Sequence, residues 1–252
     1  MRPKVYQCML LLFSVVMLVI CICYAWKERE KEKEKAMEKD EMKWTQVSGK
    51  NTARKILAPE YKTIAITFDD GPGPYTKQLL AGLKERDVKA AFFVIGENAV
   101  LHKDILKQMK EEGHLIGNHT FSHVGLDQIS EKNLDQEILS VNRLLESVTG
   151  EPVRYIRPPY GKRTTKYSCI NHMTNVLWNI DPLDWSIQEK ERIKEHILSH
   201  AKDGGIIILH DIYESSVLAA LDTIDELKKE GYHFVRADQM KARKIEGCLV
   251  IK

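Results

Sequence analysis

The sequence predicts an α/β fold of about seven parallel strands, closed into a barrel or open and doubly wound, preceded by one transmembrane helix. From residue 61 onward, short runs rich in β-branched and aromatic residues alternate with amphipathic stretches. This alternation predicts parallel strands that are joined by helical crossovers. An uncharged apolar run near the N-terminus predicts the membrane helix.

The N-terminal apolar run covers residues 8–26 and contains no charged side chain. At a rise of about 1.5 Å per residue, a helix of this length roughly spans a hydrocarbon core of about 30 Å. Arg2 and Lys4 precede the run, so we expect residues 1–7 in the cytoplasm and the rest of the chain outside it. The alternative is a cleaved signal peptide and a secreted chain, but the residues around Ala25 fit a cleavage site poorly. We therefore predict a single-pass protein of the cell membrane.

Residues 27–60 are predicted to be a charged spacer and linker. The first part, 27–43, holds seven basic and seven acidic residues, which is typical of a solvated, partly helical spacer and not of a polybasic lipid-binding patch. We predict that the folded domain spans 61–245 and that 246–252 form a C-terminal tail. The formal net charge of +2 provides no broad basic field, so we expect no nucleic-acid partner.

The predicted elements of the domain follow one another in a regular order. The strand segments are TIAITF, AAFFVIG, HLIGNH, RYIRPP, NVLWNI, GIIILH and HFVRAD. The helical segments between them include YTKQLLAGLKERD, ENAVLHKDILKQMKEEG, LDQEILSVNRLLESVTG and EKERIKEHILSHAKDGG. The second and third of these segments end in Gly113 and Gly150. Glycine often follows a helix C-terminus, so we expect both helices to end there. The fourth is expected to carry His196 and His200 on its surface.

Polar residues stand at or just after the ends of five predicted strands. They are Asp69, Asp70, His119, Arg157, Asp181, Asp184, His210 and Asp211. In an α/β barrel the carboxyl ends of the strands converge on one face, where active sites are built. The sequence therefore predicts a single polar site at this face.

The segment GNHTFSH predicts a metal site. His119 and His123 stand four residues apart, so both imidazoles can face one cation if the segment makes a helical turn. Two histidines and one aspartate leave coordination positions open, which is typical of a catalytic metal. Zinc suits these ligand types, and cobalt, nickel or iron stay open. Such a metal lowers the pKa of a bound water, which then attacks an acyl carbon.

Five motifs resemble those of the polysaccharide deacetylases, also called carbohydrate esterase family 4 or NodB homology enzymes. TFDDGP, HTFSH, RPPYG, DPLDW and LHD occur in the order of the family's motifs, across roughly residues 62–240. The resemblance implies a distorted (β/α) barrel that removes acetyl groups from a glycan. One departure is Val124, because the family commonly has proline after the second metal histidine.

The resemblance also assigns roles to residues of this chain. It implies that Asp70, His119 and His123 hold the divalent metal. Asp69 would be the general base that takes a proton from the attacking water. Arg157 would pair with this base and fix its orientation.

The remaining roles concern the leaving group and the pocket. By resemblance, His210 would protonate the leaving amine and Asp184 would orient His210. The backbone N–H of Tyr160 would help the metal to stabilise the oxyanion. The resemblance assigns the walls of the substrate pocket to Tyr160, to Trp185 and to Leu209 or its neighbour Ile208. It assigns Asp181 to a supporting position behind them. Trp178 lies outside the motifs and is expected in the core.

A membrane anchor would place such an enzyme beside peptidoglycan. We therefore predict that it acts on N-acetylglucosamine or N-acetylmuramic acid residues of that polymer. We also expect the protein to be a monomer. Chitin oligomers and acetylated xylan are alternative substrates within the same family. A catalytically silent glycan-binding module is a further alternative, although a binder need not keep a base, an acid and metal ligands together. Phosphoryl transfer is disfavoured, because the chain lacks a phosphate-cradling glycine-rich loop.

Overall fold

A largely parallel β-sheet organises the part of the chain that the structure describes. The structure is a computed structural model that describes residues 61–133, 135–162, 173–245 and 248–252, together with Met17. Apart from Met17, the predicted anchor at 8–26 and spacer at 27–60 lie outside the described residues. Within the described ranges, we find no helix that is both long and apolar enough to cross a membrane.

Nine strands of the described residues form one sheet. They are β1 (Lys62–Asp69), β2 (Ala91–Val94), β3 (Leu115–Asn118), β4 (Tyr155–Ile156), β5 (Thr174–Val176), β6 (Gly205–His210), β7 (Tyr232–Phe234), β8 (Ala242–Ile245) and β9 (Cys248–Ile251). The strand order is β6-β1-β2-β3-β4-β5-β9-β8, and β7 pairs with β1. Adjacent strands run parallel except for β8 and β9, which form an antiparallel pair. The first seven strands correspond to the seven predicted segments.

The sheet curls into a half-barrel. An isolated parallel bridge between Ile180 and Ile207 joins the segment after β5 to β6, which lies at the far end of the strand order. The N–H of Ile208 donates to the carbonyl of Ile180 at 3.1 Å. The curl brings the carboxyl ends of β1, β4 and β6 to one side of the sheet, as the barrel prediction requires.

The prediction that residues 246–252 form a C-terminal tail is wrong, because a strand in this segment joins the sheet. Residues 246–252 contain β9, which pairs in parallel with β5 through Asn175 and Val250 and antiparallel with β8. Val250 and Ile251 are 1% and 2% exposed. Their burial explains why the last residues join the sheet, because a tail would leave both apolar side chains in water.

Helices cover one face of the sheet and support its strand ends. They are α1 (Thr76–Glu85), α2 (Gly96–Leu101), α3 (Lys103–Glu111), α4 (Ser140–Thr149), α5 (Lys190–His200) and α6 (Glu214–Lys229). The predicted helix at 97–113 is divided at His102, whose φ of −126° and ψ of 45° are not helical. Gly150 ends α4 with a φ of 72°, which confirms it as the residue that terminates this helix.

Strand alternation separates the core from the functional face. Ile64, Ile66 and Phe68 of β1 lie in the large cluster that packs against the helices, whereas Ala65 belongs to the smaller cluster inside the half-barrel. Side chains two residues apart share a face of a strand, so Asp69 lies on the inner face with Ala65. Register pairs Asp69 with His210 of β6, which therefore lie next to each other on that face.

Candidate active site

A cleft of about 280 Å³ opens where the strands end. It is lined by Asp69, Asp70, His119, His123, Tyr160, Trp178, Asp181, Trp185, Ile208 and His210. Arg157 and Asp184 are fully buried and contact lining residues from behind. The structure thus brings all of the residues predicted at the strand ends except Asp211 into one site.

The adjacent carboxylates Asp69 and Asp70 have different conformations and partners. Asp69 ends β1 and is 2% exposed. Asp70 has a φ of 71°, in the left-handed region. Its N–H donates to the carbonyl of Phe93 at 3.2 Å, and its own carbonyl accepts a bond from the Asn98 amide at 2.7 Å. A non-glycine residue in this region costs about 1–3 kcal/mol and persists where its surroundings hold it. The turn directs the Asp70 carboxylate toward the two histidines.

Asp70, His119 and His123 each place one potential ligand atom within 4.8 Å of the others. The Nε2 atoms of His119 and His123 lie 3.5 and 3.4 Å from Oδ1 of Asp70. The Nδ1–H of His119 donates to the carbonyl of Arg157 at 2.7 Å, so its Nε2 presents a lone pair to the cleft. Oδ1 of Asp70 is buried and receives no hydrogen bond from the described residues. Three lone-pair donors that converge in this way fit a divalent cation.

A bent loop brings the two histidines together, in contrast to the helical turn that their spacing suggested. Thr120 and His123 have φ values of 67° and 58°, so both are left-handed. Glu137 accepts bonds from the N–H and the hydroxyl of Ser122, at 3.0 and 2.9 Å, and holds the loop in this shape. Burial lowers the pKa of His123, which favours the neutral imidazole that metals bind.

Arg157 fixes the orientation of Asp69. Its Nη1 donates to Oδ1 of Asp69 and to the hydroxyl of Thr67, both at 2.7 Å. Its Nε donates to the carbonyl of Val176 at 2.9 Å. The guanidinium also lies 4.2 Å from the ring centre of Phe93. Burial lowers the pKa of Arg157. The carboxylate of Asp69 and the other hydrogen-bond acceptors compensate for this burial, as a buried charge requires.

His210 is oriented by Asp184 on the opposite side of the cleft. Oδ1 of Asp184 accepts from Nδ1 of His210 at 2.8 Å, and Oδ2 accepts from the His210 backbone N–H, also at 2.8 Å. The Nε2 of His210 therefore faces the cleft, 3.9 Å from Oδ2 of Asp70. Burial alone would lower the pKa of His210, but Asp184, with Asp69 and Asp70, raises it to about 9. At neutral pH this imidazole carries a proton that it can donate.

Two exposed aromatic side chains border the cleft. Tyr160 is 63% exposed and has a φ of 61° inside a short turn, Pro159–Gly161. Its ring meets that of His123 at 4.8 Å. Trp185 is 56% exposed, so its indole is accessible to a ligand in the cleft.

Leu209 does not line the cleft, which corrects its assignment as a pocket wall. It is fully buried and belongs to the core cluster between the sheet and the helices. Alternation along β6 turns Ile208 inward instead, and Ile208, the alternative named with it, lines the cleft. Asp181 also lines the cleft, and it accepts hydrogen bonds from the Trp178 indole at 3.1 Å and the Leu183 N–H at 3.0 Å.

Several residues support the site through contacts that the sequence does not predict. Thr67 links Arg157 to the carbonyl of Ile207, but a threonine in a strand indicates only β-propensity. Glu137 lies in the predicted helical segment LDQEILSVNRLLESVTG, and its contacts depend on a loop that lies 15 residues away. Asp211 is fully buried, accepts a hydrogen bond from Thr76 and packs against Gly71, and burial raises its pKa to about 7.

The second histidine pair forms no part of this site. His196 and His200 lie on α5, with their rings stacked 4.2 Å apart, and Nδ1 of His200 donates to the carbonyl of His196 at 2.8 Å. Neither residue lines the cleft. The prediction that both lie on the helix surface and outside the site is confirmed.

Comparison with known proteins extends this picture. The family model described as polysaccharide deacetylase matches residues 57–175. A peptidoglycan-N-acetylglucosamine deacetylase of Bacillus cereus is 39% identical over 190 residues, which cover 71% of this chain and 88% of that protein. The peptidoglycan-N-acetylmuramic acid deacetylase PdaC of Bacillus subtilis is 36% identical over 188 residues, which cover 74% of this chain and 40% of PdaC. This chain thus matches less than half the length of PdaC.

Solved structures resemble the described fold. The structure of PdaC aligns with a TM-score of 0.69 at 37% identity, covering 72% of this chain and 90% of that one. BA3943 of Bacillus anthracis, titled a CE4 family pseudoenzyme, aligns with a TM-score of 0.67 at 25% identity, covering 72% and 66%. The similar proteins thus include named deacetylases and a named pseudoenzyme, and the residues of the cleft must distinguish these two cases.

Proposed function

Because this chain belongs to the polysaccharide deacetylase family, we propose that it hydrolyses the N-acetyl groups of peptidoglycan sugars with the help of a divalent metal. One observation carries the proposal. The three potential metal ligands, the carboxylate Asp69 with its partner Arg157, and the oriented His210 all surround one cleft. A silent binding module needs no such set. The substrate is N-acetylglucosamine or N-acetylmuramic acid within the polymer, by analogy with the names of the relatives.

Asp70, His119 and His123 would hold the metal, and their imidazole and carboxylate donors suit zinc. When bound, the metal supplies a Lewis acid and lowers the pKa of water. Asp69 serves as the base. Arg157 occupies its Oδ1, so Oδ2 stays available to accept a proton from the attacking water.

His210 completes the reaction as the acid. Asp184 binds Nδ1, which directs the Nε2 proton into the cleft toward the leaving amine. Tyr160 lines the cleft and has a φ of 61°, and its backbone N–H would stabilise charge on the acetyl oxygen. Ile208 and Trp185 enclose the acetyl methyl.

A polymeric substrate fits the surface beside the cleft. A second open groove of about 570 Å³ shares His123 and Tyr160 with the cleft and continues past Gln128 and Lys162. A neighbouring sugar of the same glycan chain can occupy this groove. The proposed membrane anchor would place the cleft outside the cytoplasm, where this polymer lies.

The test is acetate release by the full chain, loaded with zinc, from peptidoglycan, chitin oligomers and acetylxylan. We expect release from peptidoglycan, loss of release with a chelator, and recovery when zinc is returned. Mass spectrometry of the digested product identifies which of the two sugars has lost its acetyl group. Binding to peptidoglycan without acetate release from any of the three substrates would refute the enzyme proposal and favour a glycan-binding module.

A further inference from the structure

Trp178 contacts several parts of the site, although it lies outside the five motifs. It follows β5 and lines the cleft beside Asp181. Its indole contacts three separate features: the guanidinium of Arg157, the backbone at Gly161 and the carboxylate of Asp181. The expectation that Trp178 is plain core is therefore incomplete.

The first contact concerns the arginine that holds the base. The guanidinium carbon of Arg157 lies 5.6 Å from the Trp178 ring centre, and Phe93 approaches it at 4.2 Å. A buried cation gains from aromatic faces, because their quadrupoles replace part of its lost hydration. The indole thus helps to keep the guanidinium beside Asp69.

The second contact concerns the turn that carries Tyr160. A Cβ atom on Gly161 would lie 3.1 Å from the Trp178 ring, so the indole is seated directly against this glycine. Gly161 also has a φ of 66°, which glycine adopts without strain. We therefore expect a displaced indole to leave the turn that carries Tyr160 less constrained.

The third contact fixes the indole itself. Oδ2 of Asp181 accepts the indole N–H at 3.1 Å, while Oδ1 accepts the N–H of Leu183 at 3.0 Å. Asp181 therefore connects the indole to the loop that leads to Asp184 and Trp185.

We propose that Trp178, held by Asp181, is a positioning residue that keeps Arg157 and the Tyr160 turn in register with each other. Trp178 acts through Arg157 on Asp69 and through Gly161 on Tyr160. The kinetic consequences of this inference rest on the proposed hydrolysis. The contact between Trp178 and Arg157 can be tested separately, by a measurement that needs no enzymatic activity.

The kinetic test compares Trp178→Leu with Trp178→Phe in the full chain loaded with zinc. Leucine removes the aromatic face, and we expect kcat for acetate release to fall about 10- to 100-fold, since small displacements of catalytic groups have effects of this size. Zinc affinity should stay close to the parent value, because the metal ligands do not contact the indole, and KM should change less than kcat. Phenylalanine keeps the face and should restore most of kcat. Trp185→Leu is the matched control and should raise KM instead.

The structural test follows the side-chain Nε–H of Arg157 by NMR in the metal-free protein. Its signal is assigned by its loss in Arg157→Lys. Trp178→Leu and Asp181→Ala should each shift this signal and speed its exchange with water, whereas Trp185→Leu should leave it unchanged.

Two results would overturn the inference: an unchanged Arg157 signal in Trp178→Leu, or a Phe variant whose kcat is as low as that of the Leu variant. A parent protein that releases no acetate would refute the proposed function alone. In that case the Arg157 signal still decides whether Trp178 positions the arginine.

Discussion

At the scale of single residues, the adjacent carboxylates Asp69 and Asp70 divide their interactions between two partners. Arg157 binds the first, and the second faces two imidazoles. Two like charges side by side would repel each other in a buried site, so each requires a cation of its own. The Nε2 of His210 lies 3.9 Å from Asp70, and a bound metal would supply a closer cation.

This division predicts the behaviour of Asp69→Asn. The variant should bind zinc as tightly as the parent, because the three ligand side chains are intact, yet acetate release should fall by at least about 100-fold, a usual effect of losing a general base. Competition with a chromogenic chelator measures zinc affinity, and Asp69→Glu controls for charge. A loss of zinc binding would mean that the roles of Asp69 and Asp70 are exchanged.

The pair of His210 and Asp184 predicts a pH dependence of stability. The pKa of His210 rises to about 9 in the folded protein from an ordinary value of 6.5. The stabilising effect is therefore complete below pH 6.5 and is lost as the pH rises through about 9. Its size is on the order of 3–4 kcal/mol, since the pKa differs by about 2.5 between the two values and one pKa unit corresponds to about 1.4 kcal/mol.

Urea unfolding of the metal-free protein at several pH values between 6 and 10 measures this effect. Asp184→Asn should flatten the decline across that window, because the asparagine carries no charge to favour the imidazolium. An equally steep decline in the variant would assign the effect to another group.

Some residues of the site follow from the sequence, because strand ends converge whatever the details of packing. That rule predicted Asp69, His119, Arg157 and His210. It could not predict the role of Trp178, since that depends on the missing side chain of Gly161 in a distant turn.

At the scale of elements, the loop after β1 is packed against the loop after β6. A Cβ on Gly71 would clash with the Asp211 carboxylate, which is fully buried and accepts a hydrogen bond from Thr76 of α1. Asp211 thereby supports the turn that presents Asp70.

Gly71→Ala should therefore weaken zinc binding at least about tenfold and lower the free energy of unfolding by about 1–3 kcal/mol, a range typical of overpacking. Calorimetric zinc titration and urea unfolding measure the two effects. Gly150→Ala is the matched control: with a φ of 72° and open space around it, it should cost stability without affecting zinc. Equal zinc affinity in both variants would contradict the supporting role of Asp211.

The strand β9 shows where element prediction failed. A four-residue strand near the chain end joins the sheet through parallel pairing with β5, and this partner is remote in sequence. Local patterns carry little information about such pairing, whereas the long strands β1 and β6 were predictable from composition.

Ile251→Ala tests this strand. Ile251 is 2% exposed and packs in the cluster inside the half-barrel, so its truncation should lower the free energy of unfolding by about 2–5 kcal/mol. Urea unfolding measures the loss, with the exposed Leu101→Ala as control because that side chain is 74% exposed. Equal stability of the two variants would show that β9 contributes little to the fold.

At the scale of the whole molecule, the proposed function requires the domain to meet an extracytoplasmic polymer. Residues 8–26 predict the anchor that provides this position. The full chain should remain in the membrane pellet after alkaline carbonate extraction, and added protease should digest the domain in intact protoplasts. Replacing Leu11, Leu12 and Val15 with lysine should release the chain from the pellet. Protection from external protease would place the domain on the cytoplasmic side.

The pairing of Asp69 with His210 across β1 and β6 has a consequence for how this molecule can diversify. The proposed proton acceptor and proton donor occupy directly paired positions of two adjacent strands, so their separation is set by the strand pairing and not by the loops. The groove past Tyr160, in contrast, is built from loop residues. Changes in those loops can therefore alter which glycan is bound while the distance between acid and base stays the same.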